Sequence, residues 1–357
     1  MKKKNQHYVP QFHLRQWSLD GKLVSLYNKK RQLFVDNKAA IKNIASENYL
    51  YDKDGTVENL FSKLEAYIAP ICKKIIESES LDGLTEEELD ALYFHIIMCN
   101  ERTAAAGEDH EELIKTIVET SMKMYQAHGR YLDIDADTIR DKFTVQFPCN
   151  IAIKNAFKYY PLIKDLKISL IKNSSNAEFL TSDYPTIKYN LWSLTRKLYS
   201  GWGMSSVGIM YILPISPRIA LIAYDPVVYN IKNLRKNKVL ISKHSQIDEI
   251  NKLMILNANK NLFFSSNITS HYINRILSSI SKHITPPRPV TVLGNTNSFL
   301  IANSTRRVLY RADLAFLTML PESLNWYVPR HSAGLSRPTS EDIANALNIK
   351  LDKEYSS

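Results

Sequence analysis

Two histidines and an arginine stand close together near the start of the chain, at His7, His13 and Arg15. If residues 7–15 are extended, alternation places all three side chains on one face, because their numbers are all odd. An imidazole can act as a general acid or base, and a guanidinium binds phosphate oxygens in pairs. The segment therefore predicts a phosphate-binding face. The same residue types also fit a hydrogen-bonded histidine and a salt-bridged arginine that brace a sheet.

A second candidate group follows the predicted strand 178–181, in the run Ser182-Asp183-Tyr184-Pro185. The residue before a proline is restricted to extended geometry, which fixes such a turn. A carboxylate on a rigid strand end is well placed for catalysis, so we predict a catalytic role for Asp183 and a substrate contact for Ser182. The alternative is a turn in which Ser182 or Asp183 caps its own backbone.

Two further polar residues lie on predicted helices, Arg102 near a helix end and Asn251 inside a later helix. An arginine at a helix C-terminus either satisfies free carbonyls or reaches into a cleft. Asn251 is three residues from Asp248, so the two side chains can converge on one helix face. Asparagine has mediocre helix propensity, which indicates a specific hydrogen bond, either to a substrate or within a network that ties helix to sheet.

The strong local motifs of nucleotide and metal enzymes do not occur in this sequence. It has no GxxxxGK[ST], no GxGxxG after a strand, no HExxH and no GxSxG. No metal site is predicted and no cofactor can be named. The three cysteines are odd in number and far apart, which indicates reduced thiols in a cytoplasmic protein. No apolar run reaches the roughly 18 residues that a membrane span needs.

Charge is distributed unevenly along the chain, whose net charge is +10. Residues 1–43 hold ten Lys or Arg against two Asp, a net +8, whereas residues 77–141 hold seventeen Asp or Glu against five Lys or Arg, a net −12. Residues 228–260 are basic again. This pattern favours a polyanionic partner such as RNA, DNA or a nucleotide. A solvated, lysine-rich surface is the alternative.

Hydrophobic periodicity changes twice along the chain and predicts an α+β fold. An N-terminal β unit and a larger mixed β region are expected on either side of an inserted acidic helical block. The predicted helices are 57–78, 85–103, 108–127, 136–158 with a break at Pro148, 248–260 and 269–283. The predicted strands are 23–27, 32–35, 167–171, 178–181, 209–214, 219–224, 262–265, 290–293, 298–302 and 308–310.

We expect a single α+β domain over residues 1–285. It comprises the β unit 1–55, the helical block 56–160 and a β/α region 161–285. Residues 286–357 are expected to form an extension that packs on this domain and ends in disorder.

The opening Gln6-His7-Tyr8-Val9-Pro10, followed by Phe12-x-Leu14-Arg15, resembles the signature of a mainly bacterial family catalogued as domain of unknown function 4238. The resemblance covers about residues 5–266. The family pattern places a Gln one turn before the Arg-Thr and a Pro after it; this chain has Cys99 and Ala104 there, which weakens a catalytic role for that helix. Further landmarks agree in order: 47–51, Glu58, Glu65, Arg102-Thr103, 179–185, 213–218 and Asn251.

The resemblance implies a shared single-domain fold with polar landmarks scattered along the chain. Such landmarks fit a composite site or the braces of an unusual fold. The first hypothesis is a phosphoester-acting enzyme, such as a nuclease in antiphage defence or a toxin-like system. Its catalytic residues are His7, Asp183 and Arg102, and its substrate contacts are Arg15, His13, Ser182 and Asn251.

The alternative hypothesis is a non-enzymatic module that binds nucleic acid or a protein partner, in which the polar landmarks only hold the fold. A small-molecule hydrolase is a third possibility. The hypotheses differ on one point: the enzyme requires His7, Arg15, Arg102, Asp183 and Asn251 to meet in a single cleft.

Overall fold

The computed structural model describes residues 4–128, 138, 145–196, 201–284, 291–295, 298–302, 308–326 and 336–346. Within these ranges the chain is a mixture of helices and mainly antiparallel sheets, which confirms the α+β class. The helices are α1 (Gln11–Leu14), α2 (Thr56–Ser78), α3 (Glu86–Glu101), α4 (Ala104–Ala127), α5 (Cys149–Tyr159), α6 (Leu191–Thr195), α7 (His244–Asn257), α8 (Ser270–Ile280), α9 (Pro321–Leu324) and α10 (Pro338–Ala346). The strands are β1 (Asn5–His7), β2 (Leu23–Asn28), β3 (Leu33–Ala40), β4 (Ser46–Asn48), β5 (Lys167–Asn173), β6 (Thr181–Ser182), β7 (Ile187–Tyr189), β8 (Met210–Pro214), β9 (Ile219–Tyr224), β10 (Tyr229–Ile231), β11 (Lys238–Ile241), β12 (Asn261–Phe264), β13 (Thr291–Asn295), β14 (Ser298–Ala302) and β15 (Leu317–Met319).

The larger sheet has five strands in the order β11-β5-β9-β8-β7, with β11 parallel to β5 and the other pairs antiparallel. Every residue of β8 and β9 is buried. Both strands are continuous apolar runs, as expected for strands covered on both faces. β8 and β9 pair antiparallel on either side of Ser216-Pro217-Arg218, so the strands predicted at 209–214 and 219–224 form a hairpin.

The second sheet joins the beginning of the chain to its later part, in the order β3-β2-β12-β6. The hairpin β2–β3 lies at one side and pairs with β12, with Asn28 opposite Asn261. A register shift marks a bulge in β3, where four residue steps from Val35 to Ala39 lie opposite two steps from Val24 to Leu26 in β2. The N-terminal β residues thus form part of a sheet that is completed by residues 261–264.

The helical block packs α2, α3, α4 and α5 beside these sheets. α3 begins with a capping box: the Thr85 hydroxyl accepts from the Glu88 amide, and the Glu88 carboxylate accepts from the Thr85 amide. The apolar stripes of α2 and α3 face the core, where Ile75, Leu92 and Ile96 are fully buried. Of the predicted helix 136–158, the structure describes α5, which starts directly after Pro148; the N-terminal part lies almost entirely outside the described residues.

Described parts of the C-terminal seventy residues contact the body of the fold. β15 pairs with β10, and Arg337 donates two hydrogen bonds to Asp165, at 2.7 and 2.8 Å. The same guanidinium also donates to three main-chain carbonyls, those of Leu162, Met204 and Ser206. The disorder predicted for the last residues falls outside the described ranges.

Two expectations of extended chain are wrong in the described structure, at residues 7–15 and 308–310, and the strand predicted at 178–181 is only partly confirmed. Residues 7–15 are not extended, because β1 ends at His7 and Pro10 starts a helical segment, α1 and then a 3-10 turn over Arg15–Trp17. Proline has a fixed φ and no amide hydrogen, so it is suited to the start of a helix. Residues 308–310 form no strand, and the strand predicted at 178–181 is reduced to Thr181–Ser182.

No helix among the described residues combines the length and the apolar character that crossing a bilayer requires.

Candidate functional site

The N-terminal strand carries a hydrogen-bonded clamp built from Gln6, which is fully buried. The amide of Gln6 donates to the Asp52 carboxylate at 2.7 Å and accepts from the Tyr51 amide at 2.7 Å. Asp52 in turn accepts from the backbone amides of Gly55 and Val57, where α2 begins. A buried amide with all its partners satisfied fixes the position of β1 against α2.

His7 follows directly and is half-buried. Its ring Nε2 lies 3.4 Å from Gln11 Nε2, and its main-chain carbonyl accepts from Arg102 and Tyr51. Burial lowers the pKa of His7, an effect that nearby Arg102 reinforces and Glu65 opposes. The imidazole is therefore neutral near pH 7 and able to accept a proton.

Arg102 lies at the C-terminus of α3 and is only 3% exposed. Its guanidinium donates to Glu65 at 2.8 Å and to the His7 carbonyl at 2.5 Å, and it stacks on the Phe61 ring at 4.0 Å. Its own carbonyl accepts from Tyr51 Oη at 2.7 Å. These contacts join α2, α3 and β1. Arg102 therefore acts as a brace that holds the three elements together.

His13 and Arg15 separate completely, because a helical segment turns them to different sides. His13 is buried, and its Nε2 lies 2.8 Å from Thr181 Oγ1. Burial lowers the pKa of His13 to about 3. Arg15 is exposed and donates to Gln11 Oε1 at 3.0 Å. The predicted single face carrying His7, His13 and Arg15 is wrong.

Asp183 is buried, and its carboxylate accepts three backbone hydrogen bonds. Asn259, Lys260 and Asn261 donate to it at 2.9, 2.7 and 2.8 Å. Burial raises the pKa of Asp183, although these donors oppose the shift. The carboxylate holds the loop that connects α7 to β12, and the catalytic role predicted for it stays a prediction.

Ser182 and Asn251 are likewise fully buried and hydrogen-bonded to the backbone. Ser182 donates to the Tyr184 carbonyl and accepts from the Tyr184 amide, the serine turn that its sequence allowed. Asn251 accepts from the Leu180 amide at 2.9 Å and donates to the Glu178 carbonyl and to Tyr272 Oη. Asp248 also accepts from Tyr272, so the predicted convergence of the two helix positions is confirmed.

The predicted site residues thus fall into two groups. His7 and Arg102 meet beside Glu65, and Arg15 is connected to His7 through Gln11. Asp183, Ser182 and Asn251 lie in a separate network of α7, β6 and β12, and no hydrogen bond or ion pair between described residues joins these two groups directly.

A cavity of about 310 Å³ opens beside Arg102, between α2, α3 and α5. Near the C-terminus of α3 its polar residues are His95 and Arg102, together with Glu65 of α2. Glu87 and Asp90 line the cavity toward the N-terminus of α3. His95 was not singled out by the sequence; its ring contacts the Cys99 thiol one turn away. The sequence signal that could have identified His95 is its position on the buried face of α3. The remaining lining is apolar or aromatic: Pro10, Phe61, Leu64, Tyr67, Ile68, Ala91, Phe94, Met98, Phe157 and Tyr160.

A family model described as "Protein of unknown function (DUF4238)" matches residues 5–267. The chain belongs to this family. Searches of the curated proteins and of the solved structures gave no match.

The part of the chain that matches the DUF4238 family contains the Gln6 clamp, the Arg102 brace, the Asp183 loop and every residue that lines the cavity. The contact between Arg337 and Asp165 brings residues beyond the match onto it. Within the described residues, no group of three or more His, Cys, Asp and Glu side chains is arranged to hold a metal ion.

Proposed function

We propose that this DUF4238 protein is a non-enzymatic binding module that docks on a polyanion, with RNA or DNA as the partner class. The observation that carries the proposal is the contrast between two sets of polar residues. The polar side chains of Asp183, Ser182, His13 and Asn251 are engaged in buried internal hydrogen bonds. Most cations of the β2–β3 hairpin and its flanks face solvent; Lys29, which donates to two main-chain carbonyls, is the exception among the described residues.

The hairpin and its flanks present the cations Lys22, Lys30, Arg31, Lys38 and Lys42, all exposed. None of them forms a salt bridge with a carboxylate in the described part of the chain. Unpaired cations on a strand ribbon attract phosphates over several ångströms, and binding releases the counterions that the phosphates hold. The acidic helical block would repel a polyanion. The module would therefore bind with its basic hairpin toward the partner.

The test is a titration of labelled single-stranded RNA, single-stranded DNA and duplex DNA by fluorescence anisotropy across a range of salt. Binding that weakens steeply with salt, without cleavage of the nucleic acid, supports the module. Binding that is absent at low salt contradicts it.

A second candidate is the phosphoester-acting enzyme, a nuclease in antiphage defence or a toxin-like system. The relay His7–Gln11–Arg15 favours it, because a neutral imidazole is connected through one amide to an exposed guanidinium. His7 would act as the base and Arg15 would hold a phosphate, since arginine is suited to paired phosphate contacts.

The enzyme is tested with His7→Gln and Arg15→Gln in a cleavage assay on labelled RNA and DNA. His7 contributes to the brace through its main-chain carbonyl, so His7→Gln leaves that contact in place. Loss of cleavage with an unchanged melting temperature supports the enzyme. If the purified wild type cleaves neither substrate, or if both variants cleave like the wild type, the enzyme is contradicted.

A further inference from the structure

The cavity between α2, α3 and α5 is independent of the basic hairpin and differs from it in chemistry. Its lining residues on α3 follow one face of the helix: Glu87, Asp90, Ala91, Phe94, His95, Met98 and Arg102. From Asp90 to Met98 this face runs for about 12 Å at the helical rise of 1.5 Å per residue. The cavity is therefore elongated along α3, and it suits a linear occupant.

Aromatic rings form one wall near the N-terminal part of α3. The Phe94 ring lies 4.9 Å from the Phe157 ring and 5.2 Å from the Tyr160 ring, the latter edge to face. Phe157 is 40% exposed although it belongs to this cluster, and Tyr67 of α2 is 51% exposed at the same cavity. Ring faces turned toward an open cavity attract cations as well as apolar groups.

The charges of the lining favour a cation over an anion. Glu65 and Arg102 form an ion pair at 2.8 Å and cancel each other. Asp90 pairs with Lys164 at 2.5 Å. Glu87 is exposed, and no ion pair between described residues neutralises it. The lining together with Lys164 thus keeps one net negative charge beside the aromatic wall, in a segment whose net charge is −12 over residues 77–141.

At the other end of the cavity the positive charge of Arg102 is balanced by the Glu65 carboxylate. Two nitrogens of the Arg102 guanidinium are engaged, one by Glu65 and one by the His7 carbonyl. Beside it lie the apolar side chains of Leu64, Ile68 and Met98. This end is suited to a hydrocarbon tail, because ligand cavities of a few hundred Å³ derive most of their affinity from apolar contact and their orientation from a few polar groups.

We infer that the cavity binds a linear aliphatic amine, with its ammonium group at Glu87 against the rings of Phe94, Phe157 and Tyr160 and its hydrocarbon chain along α3 toward Met98. The ligand would be recognised by one negative charge at the mouth of the cavity and by the apolar channel along α3. This inference does not depend on the polyanion partner proposed above.

The probe is n-octylamine, compared with octanoate and with octanol, which share its chain and differ in head group. Binding is measured by isothermal calorimetry and by the shift of the melting temperature on the full chain. We expect octylamine to raise the melting temperature and to bind at least tenfold more tightly than octanoate. Equal or stronger binding of octanoate or octanol, or no binding of octylamine, overturns the proposal.

Two variants locate the ligand. Glu87→Gln should weaken octylamine binding about fivefold, the size expected for one partly exposed charge contact. The matched control is Glu86→Gln, one residue away and outside the lining of the cavity. It should leave octylamine binding unchanged. Ala91→Leu fills the channel without a change of charge and should abolish binding, with circular dichroism verifying that the variant is folded. Equal effects of the two glutamate variants, or full binding by folded Ala91→Leu, overturn the assignment. A basic amphipathic peptide that binds this face while octylamine does not would also overturn it.

Discussion

The guanidinium of Arg102 donates a hydrogen bond to the main-chain carbonyl of His7 at 2.5 Å. The two residues are 95 positions apart, and both were predicted to take part in catalysis. Their contact uses the side chain of Arg102 and the backbone of His7, so it fixes the path of the chain after β1 and does not involve the His7 ring. Arg102 therefore has a structural role in this contact, and the contact leaves the His7 ring available for a chemical role.

Replacement of Arg102 should destabilise the fold strongly. Arg102→Ala leaves the Glu65 carboxylate without its Arg102 donor, removes one of the two donors to the His7 carbonyl and removes the stacking on Phe61. We expect the free energy of unfolding to fall by about 3 kcal/mol. Arg102→Lys should recover less than half of the loss, because a single ammonium does not reproduce the planar guanidinium. Urea unfolding measures both, with the exposed Arg15→Ala as the control, expected within about 0.5 kcal/mol of the wild type. A near-neutral Arg102→Ala would contradict the brace.

The loop after α7 depends on Asp183. Asp183→Ala leaves three backbone amides without an acceptor, and the expected cost is at least about 3 kcal/mol, since each unsatisfied buried group costs about 1 kcal/mol or more. Asp183→Asn keeps one carbonyl oxygen in place and should lose roughly half as much. Thermal unfolding and hydrogen exchange at residues 259–261 provide the measurement. A catalytic Asp183 would instead show lost activity with an unchanged melting temperature.

Acid should destabilise the protein partly through two buried histidines. Burial lowers the pKa of His13 and of His95 to about 3, from the ordinary 6.5 of a histidine. Because the folded pKa lies below the unfolded one, this contribution to stability is complete above about pH 6.5 and is lost as the pH falls toward 3.

The variant His95→Gln isolates one of these groups. We expect the slope of unfolding free energy against pH, measured between pH 4 and 6, to decrease by about 1.4 kcal/mol per pH unit, the value for one proton. The exposed His271→Gln is the control and should retain the slope of the wild type. An unchanged slope in His95→Gln would show that this imidazole is not held neutral by burial.

The basic hairpin predicts a defined salt dependence. Each phosphate contact contributes about 0.9 to the slope of log K against log salt on duplex DNA. Neutralising both turn residues, Lys30→Gln with Arg31→Gln, should therefore reduce the slope by about 2 if both contact phosphates. Lys63→Gln removes one exposed charge from the helical block and should leave the slope unchanged. If the hairpin variant and this control behave alike, the partner lies elsewhere.

The sequence predicted the elements whose signals are local. The predicted helix 85–103 begins at the Thr85 cap of α3, and the predicted strands 209–214 and 219–224 are β8 and β9. The extended geometry considered for residues 7–15 is wrong, because Pro10 precedes a helical segment. The helical turn there depends on packing of His13 and Trp17 against residues 179–181, and the local sequence does not contain those partners.

The candidate sites depended even more on distant residues. The partners of Asp183 are backbone amides 76 to 78 positions away, and backbone donors leave no mark in the residue types. The cavity could not be predicted, because its aromatic wall combines Phe94 of α3 with Phe157 of α5. The gap between them is set by how the helices pack, whereas periodicity shows only which face of each helix is apolar.

β2 is synthesised long before β12, the strand with which it pairs in the second sheet. Asn28 and Asn261 are 233 residues apart, and their side chains bond at 2.8 Å. At 5 to 20 residues per second, a ribosome takes about 12 to 47 seconds to synthesise the intervening chain. Throughout that time the open edge of β2 has no partner in its own sheet. Lysines beside a strand are a feature that keeps such an edge from pairing with another chain, and the hairpin carries several. They would therefore protect the nascent protein, a role separate from the polyanion contact proposed above.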